Sequence, residues 1–125
     1  MCTYNTYIHI YRILLFTCLT RRKDHQMQEK LIEKHLVLAV KKREGLALKF
    51  VSPGMSGVPD RLILFPGRRL AFIEVKAPGE QMRPLQKKRK KQLEALGFNV
   101  YCLDDTKMIE GMLDEICTTR IPEIR

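Results

Sequence analysis

The chain lacks the cysteine patterns that mark zinc sites and disulfide frameworks. Its 125 residues include four cysteines and three histidines, and no two cysteines form a C-x-x-C pair. These residues are Cys2, Cys18, Cys102, Cys117, His9, His25 and His35. A structural zinc site or a disulfide-rich domain needs ligands or thiols at close, regular spacing, so both are disfavoured. We expect free thiols in a reducing cytoplasm.

The N-terminal segment does not have the pattern of a signal peptide or of a membrane span. Its apolar residues, between Ile8 and Leu19, are interrupted by Arg12 and followed by a basic cluster at residues 21–23. A signal peptide has a basic start before a clean apolar run, and a membrane span needs about 20 apolar residues. We expect residues 1–26 to be a poorly ordered or loosely docked extension without stable membrane association. A weak membrane-associating or partner-binding segment is the alternative.

Acidic residues are in the minority. Lys and Arg number 23 against 14 Asp and Glu, which gives a formal net charge of +9. This excess favours a polyanionic partner, either nucleic acid or an anionic membrane surface. Hydrophobic residues make up 45% of the chain, so a single domain of this length can bury a core and disorder is disfavoured.

The predicted elements follow the order α-β-β-β-α-β-α, and no segment repeats. Helices are predicted over residues 27–44, 84–96 and 106–117, and strands over 46–51, 62–65, 70–76 and 98–103. Gly45 is a plausible stop for the first helix, and Asp104-Asp105 a cap for the last. Residues 118–125 are expected to form a loose tail.

A glycine-rich loop at residues 52–57 precedes the second strand. No Gly-Lys-Ser/Thr follows it, so it is not a P-loop. Its glycines would let the backbone approach a neighbour, such as a nucleic-acid phosphate. Ser56 in this loop and Arg61 beyond it are therefore candidate nucleic-acid contacts.

The segment Gly57–Lys76 carries the chemistry. Two apolar runs flank a Pro-Gly break, which predicts a hairpin in which Asp60 starts one strand and Glu74 ends its partner. Because side chains alternate along a strand, Glu74 and Lys76 share a face. Two carboxylates and an ammonium beside a core are costly unless paired or bound to metal, so the site suits a divalent ion. The alternative is a surface ion-pair cluster.

The spacing Pro59-Asp60, thirteen residues, Glu74-Val75-Lys76 resembles the PD-(D/E)xK nuclease superfamily, most closely its VRR-NUC family. The resemblance covers about residues 27–105. It includes EKLIEKHL, GLALKFVSPGMSGVPDRLILFP, AFIEVKAPG and MRPLQ, with Gln86 ten residues after Lys76. It implies a restriction-endonuclease-like α/β fold, a central mixed sheet flanked by helices, with the nuclease domain at residues 27–117.

The family resemblance also implies roles for individual residues. Asp60 and Glu74 correspond to ligands of a catalytic Mg²⁺ or Mn²⁺, and the Val75 carbonyl would add a backbone oxygen. Lys76 corresponds to the residue that positions or activates the attacking water, and Gln86 to the downstream glutamine of the site. Glu33 matches the family's helical acid, catalytic and possibly metal-binding, better than Glu29, but the helix register leaves that choice open. A solvated face is the alternative for both glutamates.

A basic run follows Gln86 directly, and it consists of Lys87, Lys88, Arg89, Lys90 and Lys91. Alone it could be a solubilising helix face, but beside a metal site it is a candidate surface for binding the phosphate backbone. The resemblance implies a metal-dependent DNA endonuclease similar to Holliday-junction resolvases, with branched DNA as substrate and a homodimer to match a two-fold junction. The competing hypothesis is a non-catalytic nucleic-acid-binding module of the same fold.

Overall fold

The computed structural model describes residues 3–119, and side chains from residue 8 onward, around a four-stranded mixed sheet. The strands are β1 (Leu46–Lys49), β2 (Arg61–Phe65), β3 (Arg69–Val75) and β4 (Asn99–Leu103). They lie in the order β1-β2-β3-β4, the first two pairings antiparallel and β3–β4 parallel. The helices are α1 (Thr3–Lys42), α2 (Pro84–Ala95) and α3 (Ile109–Thr118), with a 3₁₀ turn at Thr106–Met108. The predicted element order and the mixed sheet flanked by helices are confirmed.

The hydrophobic core lies on one face of the sheet. Alternate residues of β2, β3 and β4 meet the apolar sides of α1 and α3 there, among them Ile63, Ile73, Val75, Leu103, Leu36, Val40 and Leu113. Because side chains alternate, Glu74 is directed to the opposite face, where Gln86 of α2 contacts it. The alternation therefore places Val75 in the core and its acidic neighbour in a site.

The β2–β3 hairpin brings the two ends of the motif together. Arg61 pairs with Ile73 in the antiparallel register, so Asp60, one residue earlier, lies across from Glu74. The connection turns through Gly67 and Arg68, which both have positive φ. The predicted meeting of the two carboxylates at one end of the sheet follows from this register.

The first helix is longer than the sequence predicted. It was expected to start at Met27, and it begins at Thr3 instead, so that boundary is wrong. Residues 1–44 contain no glycine and no proline, so no residue interrupts the helix. Side chains from Ile8 to Gln28 are exposed, which makes this part of α1 a helical extension of the body. The division of the chain at residue 26 stays a prediction.

Within the described residues, no helix is both long enough and apolar enough to cross a membrane. The three cysteines found there, Cys18, Cys102 and Cys117, are free thiols. The tail predicted at residues 118–125 lies outside the described residues beyond Thr119.

The ends of the helices use contacts that the sequence only partly indicates. After α1, Glu44 takes the left-handed conformation, at φ 60°, and Gly45 follows it. Gly45 is required for packing, because a Cβ there would lie 2.7 Å from the Phe65 ring. Asp105 accepts a hydrogen bond of 2.9 Å from the Lys107 backbone N–H, as its predicted capping position requires.

Candidate active site

Two carboxylates, from Asp60 and Glu74, form the centre of the site. Glu74 is 1% exposed and Asp60 is partly buried. Burial raises the pKa of both groups above their ordinary values, and the negative charge of Asp60 raises the pKa of Glu74 further. A hydrogen bond from the Val75 backbone lowers the pKa of Asp60, although burial outweighs it. The pair is thus held in a poorly solvated place where negative charge is destabilising.

Lys76 offsets part of this charge. Its Nζ lies 3.3 Å from Oε1 of Glu74, and the residue is only 8% exposed. The ammonium lowers the pKa of both carboxyl groups, although burial outweighs it in each case. The predicted sharing of one strand face by Glu74 and Lys76 is what allows this contact.

Gln86 fixes the orientation of the Glu74 carboxylate. Its Nε2 donates a hydrogen bond to Oε1 of Glu74, and its own Oε1 accepts one of 2.8 Å from the Arg83 backbone N–H. Pro84 starts α2, a position that needs no N–H donor, so Gln86 falls in the first turn. The structure brings this predicted site residue together with the carboxylate pair.

The second oxygen of Glu74 has no partner. Oε2 is buried and accepts no hydrogen bond, which costs about 1–3 kcal/mol for an acceptor of this kind. A buried carboxylate oxygen beside a second carboxylate fits a hard divalent cation, because Mg²⁺ binds through one or two carboxylates and keeps other positions for water and phosphate. Among residues 3–119, no group of three His, Cys, Asp or Glu side chains is arranged to hold a metal. Metal binding by Asp60 and Glu74 therefore stays a prediction.

The two helical acids have different surroundings. Glu33 accepts a hydrogen bond of 2.8 Å from Nε of Arg61 and forms an ion pair with this arginine. Partial burial raises the pKa of Glu29, the charge of Asp60 raises it further, and Lys76 lowers it. Glu29 is thus within electrostatic reach of Asp60, as is Glu33, whose charge raises the pKa of Asp60. The sequence favoured Glu33 as the helical acid, whereas the Arg61 contact leaves Glu29 the less engaged of the two.

Several predicted nucleic-acid contacts have protein partners. Arg61 binds Glu33 and the Ala47 carbonyl oxygen, and Nε of Arg89 donates a hydrogen bond of 2.9 Å to the Ser56 carbonyl oxygen. Arg89 therefore ties the glycine-rich loop to α2. A role for Ser56, Arg61 and Arg89 in nucleic-acid binding stays a prediction.

Gly57 explains how closely that loop approaches α2. It has φ +82°, and a Cβ at this position would lie 2.7 Å from Cγ of Leu85. The loop glycines were expected to let the backbone approach a neighbour, and Leu85 is such a neighbour. This contact positions the chain just ahead of Asp60.

The lysines of α2 border a groove that includes Cys102, the β4 neighbour of Glu74. None of the side chains of α2 is buried, and Lys87, Lys88 and Lys91 are exposed. A groove of about 560 Å³ is lined by Glu80, Gln81, Met82, Lys87, Lys90, Lys91, Glu94, Cys102 and Asp104. Cys102 pairs with Glu74 across β3 and β4, and burial, Asp104 and Glu74 raise the pKa of its thiol. The groove therefore reaches the neighbourhood of Glu74.

Sequence reasoning missed one contact at the edge of the site. Nδ1 of His25 lies 2.7 Å from Oε1 of Glu80, which links the exposed part of α1 to the loop between β3 and α2. The two residues are 55 positions apart, and neither belongs to a recognisable motif, so no signal in the sequence could have paired them.

The mixed sheet carries an Asp–Glu pair, a lysine and a glutamine at the end of a hairpin. This arrangement defines the class of PD-(D/E)xK nucleases, with a restriction-endonuclease-like fold. No family model matches the chain. Its sequence is 51% identical over 78 residues to "Putative nuclease p44" of Acyrthosiphon pisum secondary endosymbiont phage 1, covering 62% of this chain and 84% of that protein. A solved VRR_NUC domain is similar in structure, with a TM-score of 0.66 and 24% sequence identity, covering 70% of this chain and 95% of that domain. The chain belongs to the VRR-NUC family of nucleases.

Proposed function

We propose that this chain is a Mg²⁺- or Mn²⁺-dependent DNA endonuclease that hydrolyses phosphodiester bonds. The observation that supports this most strongly is the buried, unpartnered Oε2 of Glu74, next to Asp60 and Lys76. Asp60, Glu74 and the Val75 carbonyl would hold the ion, with Glu29 or Glu33 as an additional acid. A divalent ion held there would supply positive charge to the scissile phosphate and acidity to the attacking water.

The residues around the pair have complementary tasks. Lys76 would hold the water or stabilise the negative charge that develops on the phosphate, since its ammonium is already beside Glu74. Gln86 would keep the Glu74 carboxylate in one orientation, which leaves Oε2 free for a ligand. These positions require little rearrangement before reaction, which is the main way a protein accelerates phosphodiester hydrolysis.

The substrate proposed is branched DNA, of the kind that Holliday-junction resolvases cut in DNA repair. Lys87, Lys90 and Lys91 border the groove that includes Cys102, the strand neighbour of Glu74, and they would contact phosphates. Such contacts give affinity without reading base sequence, so selectivity would come from DNA shape. A four-way junction has two-fold symmetry, which suits a homodimer acting in the cytoplasm of a bacterium or of a phage-infected cell.

The test is incubation of the full chain with a four-way junction, a flap and a linear duplex, each with Mg²⁺, Mn²⁺ or EDTA. We expect cleavage of the junction with either metal and none in EDTA. Sedimentation of the complex would report whether two chains bind each junction. Binding without cleavage in any metal would instead support a non-catalytic nucleic-acid-binding module of this fold.

A further inference from the structure

We infer that the exposed part of α1 carries a second DNA-contacting surface, formed by Arg21 and Arg22, which holds DNA outside the groove of α2. The inference rests on the proposed function, because it concerns the same DNA. It differs in assigning DNA binding to a segment that the sequence analysis treated as an extension, with membrane or partner binding as the alternative.

The spacing along α1 places these arginines on the side of the helix that faces the site. Arg22 precedes Glu29 by seven residues, two helical turns, and Arg21 precedes His25 by four residues, one turn. At 1.5 Å per residue, Arg22 lies about 10 Å along the helix from Glu29. This distance corresponds to one or two phosphates of a DNA strand.

Two contacts fix which way that side of the helix faces. Glu29 is within electrostatic reach of Asp60 and Lys76, and His25 touches Glu80 in the loop between β3 and α2. The same loop lines the groove that the lysines of α2 border. A DNA strand in that groove would therefore meet the arginines of α1 once it passes Glu80.

The side-chain charges on the exposed part of α1 suit binding of a polyanion. Both arginines are exposed, and neither guanidinium pairs with a carboxylate among the residues that the structure describes. Asp24 is the single acidic residue between positions 8 and 28. The planar guanidinium fork binds phosphate oxygens in pairs, which an exposed arginine next to a DNA path can exploit.

An anionic membrane is the competing occupant. Apolar side chains continue along the helix before Arg21, including Leu14 and Leu15, and they are more than half exposed. A basic, partly apolar helix can lie on an anionic lipid surface. DNA is favoured because the arginines share a helix side with Glu29, which is within electrostatic reach of Asp60, and with His25, which contacts Glu80.

The experiment compares two double variants of the full chain that each remove two positive charges. Arg21→Ala/Arg22→Ala alters the proposed surface, and Arg12→Ala/Lys23→Ala is the matched control on the opposite side of the same exposed helix. Affinity for a four-way junction is measured in EDTA as a function of salt, and single-turnover cleavage is measured with Mg²⁺ at saturating DNA. Phosphate-ethylation interference identifies the phosphates that each variant no longer contacts.

We expect the arginine variant to bind about tenfold more weakly and to lower the salt slope by about 2, one unit for each lost phosphate contact. The control should change affinity much less, and the cleavage rate of both variants at saturating DNA should stay near that of the wild type. The phosphates lost by the arginine variant should differ from those lost on changing Lys87 and Lys91 to Ala.

Equal effects of the two double variants on junction affinity would overturn this inference. The inference would also be overturned if the arginine variant bound phosphatidylserine vesicles more weakly than the wild type while its DNA affinity was unchanged. Absence of metal-dependent cleavage by the wild-type chain would overturn the proposed function instead, and the affinities in EDTA would still test the arginines.

Discussion

At the scale of single residues, Glu74 is where burial, charge and hydrogen bonding act on the same group. One carboxylate oxygen contacts both Gln86 and Lys76, and the other has no partner. A folded protein retains such a costly arrangement when it serves a site. Its charge is therefore expected to matter more for catalysis than for stability.

Asp60→Asn and Glu74→Gln should each lower the single-turnover rate of junction cleavage about a thousandfold, about 4 kcal/mol of barrier, because a neutral amide weakens metal binding. DNA affinity in EDTA should be unchanged or higher, since negative charge is removed. Asp24→Asn, an exposed acid on α1, is the control and should cut normally. Cleavage near the wild-type rate by Asp60→Asn or Glu74→Gln in saturating Mg²⁺ would contradict the assignment.

Lys76→Ala should be inactive, and Lys76→Arg severely impaired, because arginine keeps the charge but is longer, planar and not a base at ordinary pH. Both variants should still bind junction DNA. Lys76→Ala should also bind Mn²⁺ at least as well as the wild type, since a nearby positive charge is gone. Calorimetry with Mn²⁺ and single-turnover cleavage measure the two effects separately.

Wild-type cleavage by Lys76→Ala would mean that the lysine only pairs with Glu74. Loss of Mn²⁺ binding would mean that it holds the carboxylates in place and does not take part in the reaction.

The stability of the metal-free protein should depend on the protonation of Glu74. Burial and the charge of Asp60 raise its pKa above the ordinary 4.5, so the folded state binds a proton more readily than the unfolded chain. The stability that the protonated group contributes is fully present below about pH 4.5 and is lost as pH rises through the folded-state pKa. Glu74→Gln does not titrate, so the variant does not lose this stability as pH rises. Asp60 remains near Lys76 as the negative charge that balances the ammonium. In EDTA, the variant should melt at a higher temperature than the wild type at pH 8, with a difference that shrinks toward pH 4.5. A constant difference across this range would show that Glu74 does not titrate as described.

At the scale of elements, the sequence predicted the hairpin well, because its signals are local. Two β-rich runs around Pro66-Gly67 determine the pairing, and the alternation along β3 assigns Glu74 and Lys76 to one face. The helical acid could not be chosen in the same way. Glu29 and Glu33 are one turn apart, and the difference between them comes from Arg61, which meets Glu33 only after β2 packs beside α1.

The beginning of α1 was missed for a different reason. The side chains described before Met27, from Ile8 to Gln26, are all exposed, so no core-facing pattern separates a helix from an irregular extension there. Its contact between His25 and Glu80 depends on how the helix is placed relative to a loop far along the chain.

The glycine-rich loop offers a test of how elements position the site. Gly57→Ala should lower both stability and cleavage rate, because φ +82° is strained for alanine and the new Cβ would contact Leu85 at 2.7 Å. The expected loss is about 1–3 kcal/mol in the free energy of unfolding, measured by urea denaturation.

Gly54→Ala is the matched control in the same loop, because a Cβ there meets nothing within 4 Å. It should leave stability and cleavage almost unchanged. Equal behaviour of the two variants would mean that the approach of the loop to α2 does not position Asp60.

At the scale of the whole molecule, the net charge of +9 is distributed in a way that the sequence total does not reveal. The lysines of α2 border a groove with Glu80, which His25 of α1 also contacts, while Arg43 and Arg61 are engaged in ion pairs with acidic residues. Part of the positive charge is thus engaged in ion pairs, while Lys87 and Lys91 remain exposed beside the groove.

The strand order also has a consequence for the speed of unfolding. The β2–β3 hairpin joins neighbouring segments and can close early, whereas the parallel β3–β4 pairing requires α2 to cross over first. In an early hairpin the carboxylates would still be hydrated, and they lose water only when α2 docks. The unfavourable burial of the Glu74 charge would then occur after the folding transition state. Glu74→Gln should therefore slow unfolding and leave the folding rate almost unchanged. Stopped-flow folding and unfolding rates in EDTA measure this directly, and a faster folding limb for the variant would place the burial of Glu74 before the barrier.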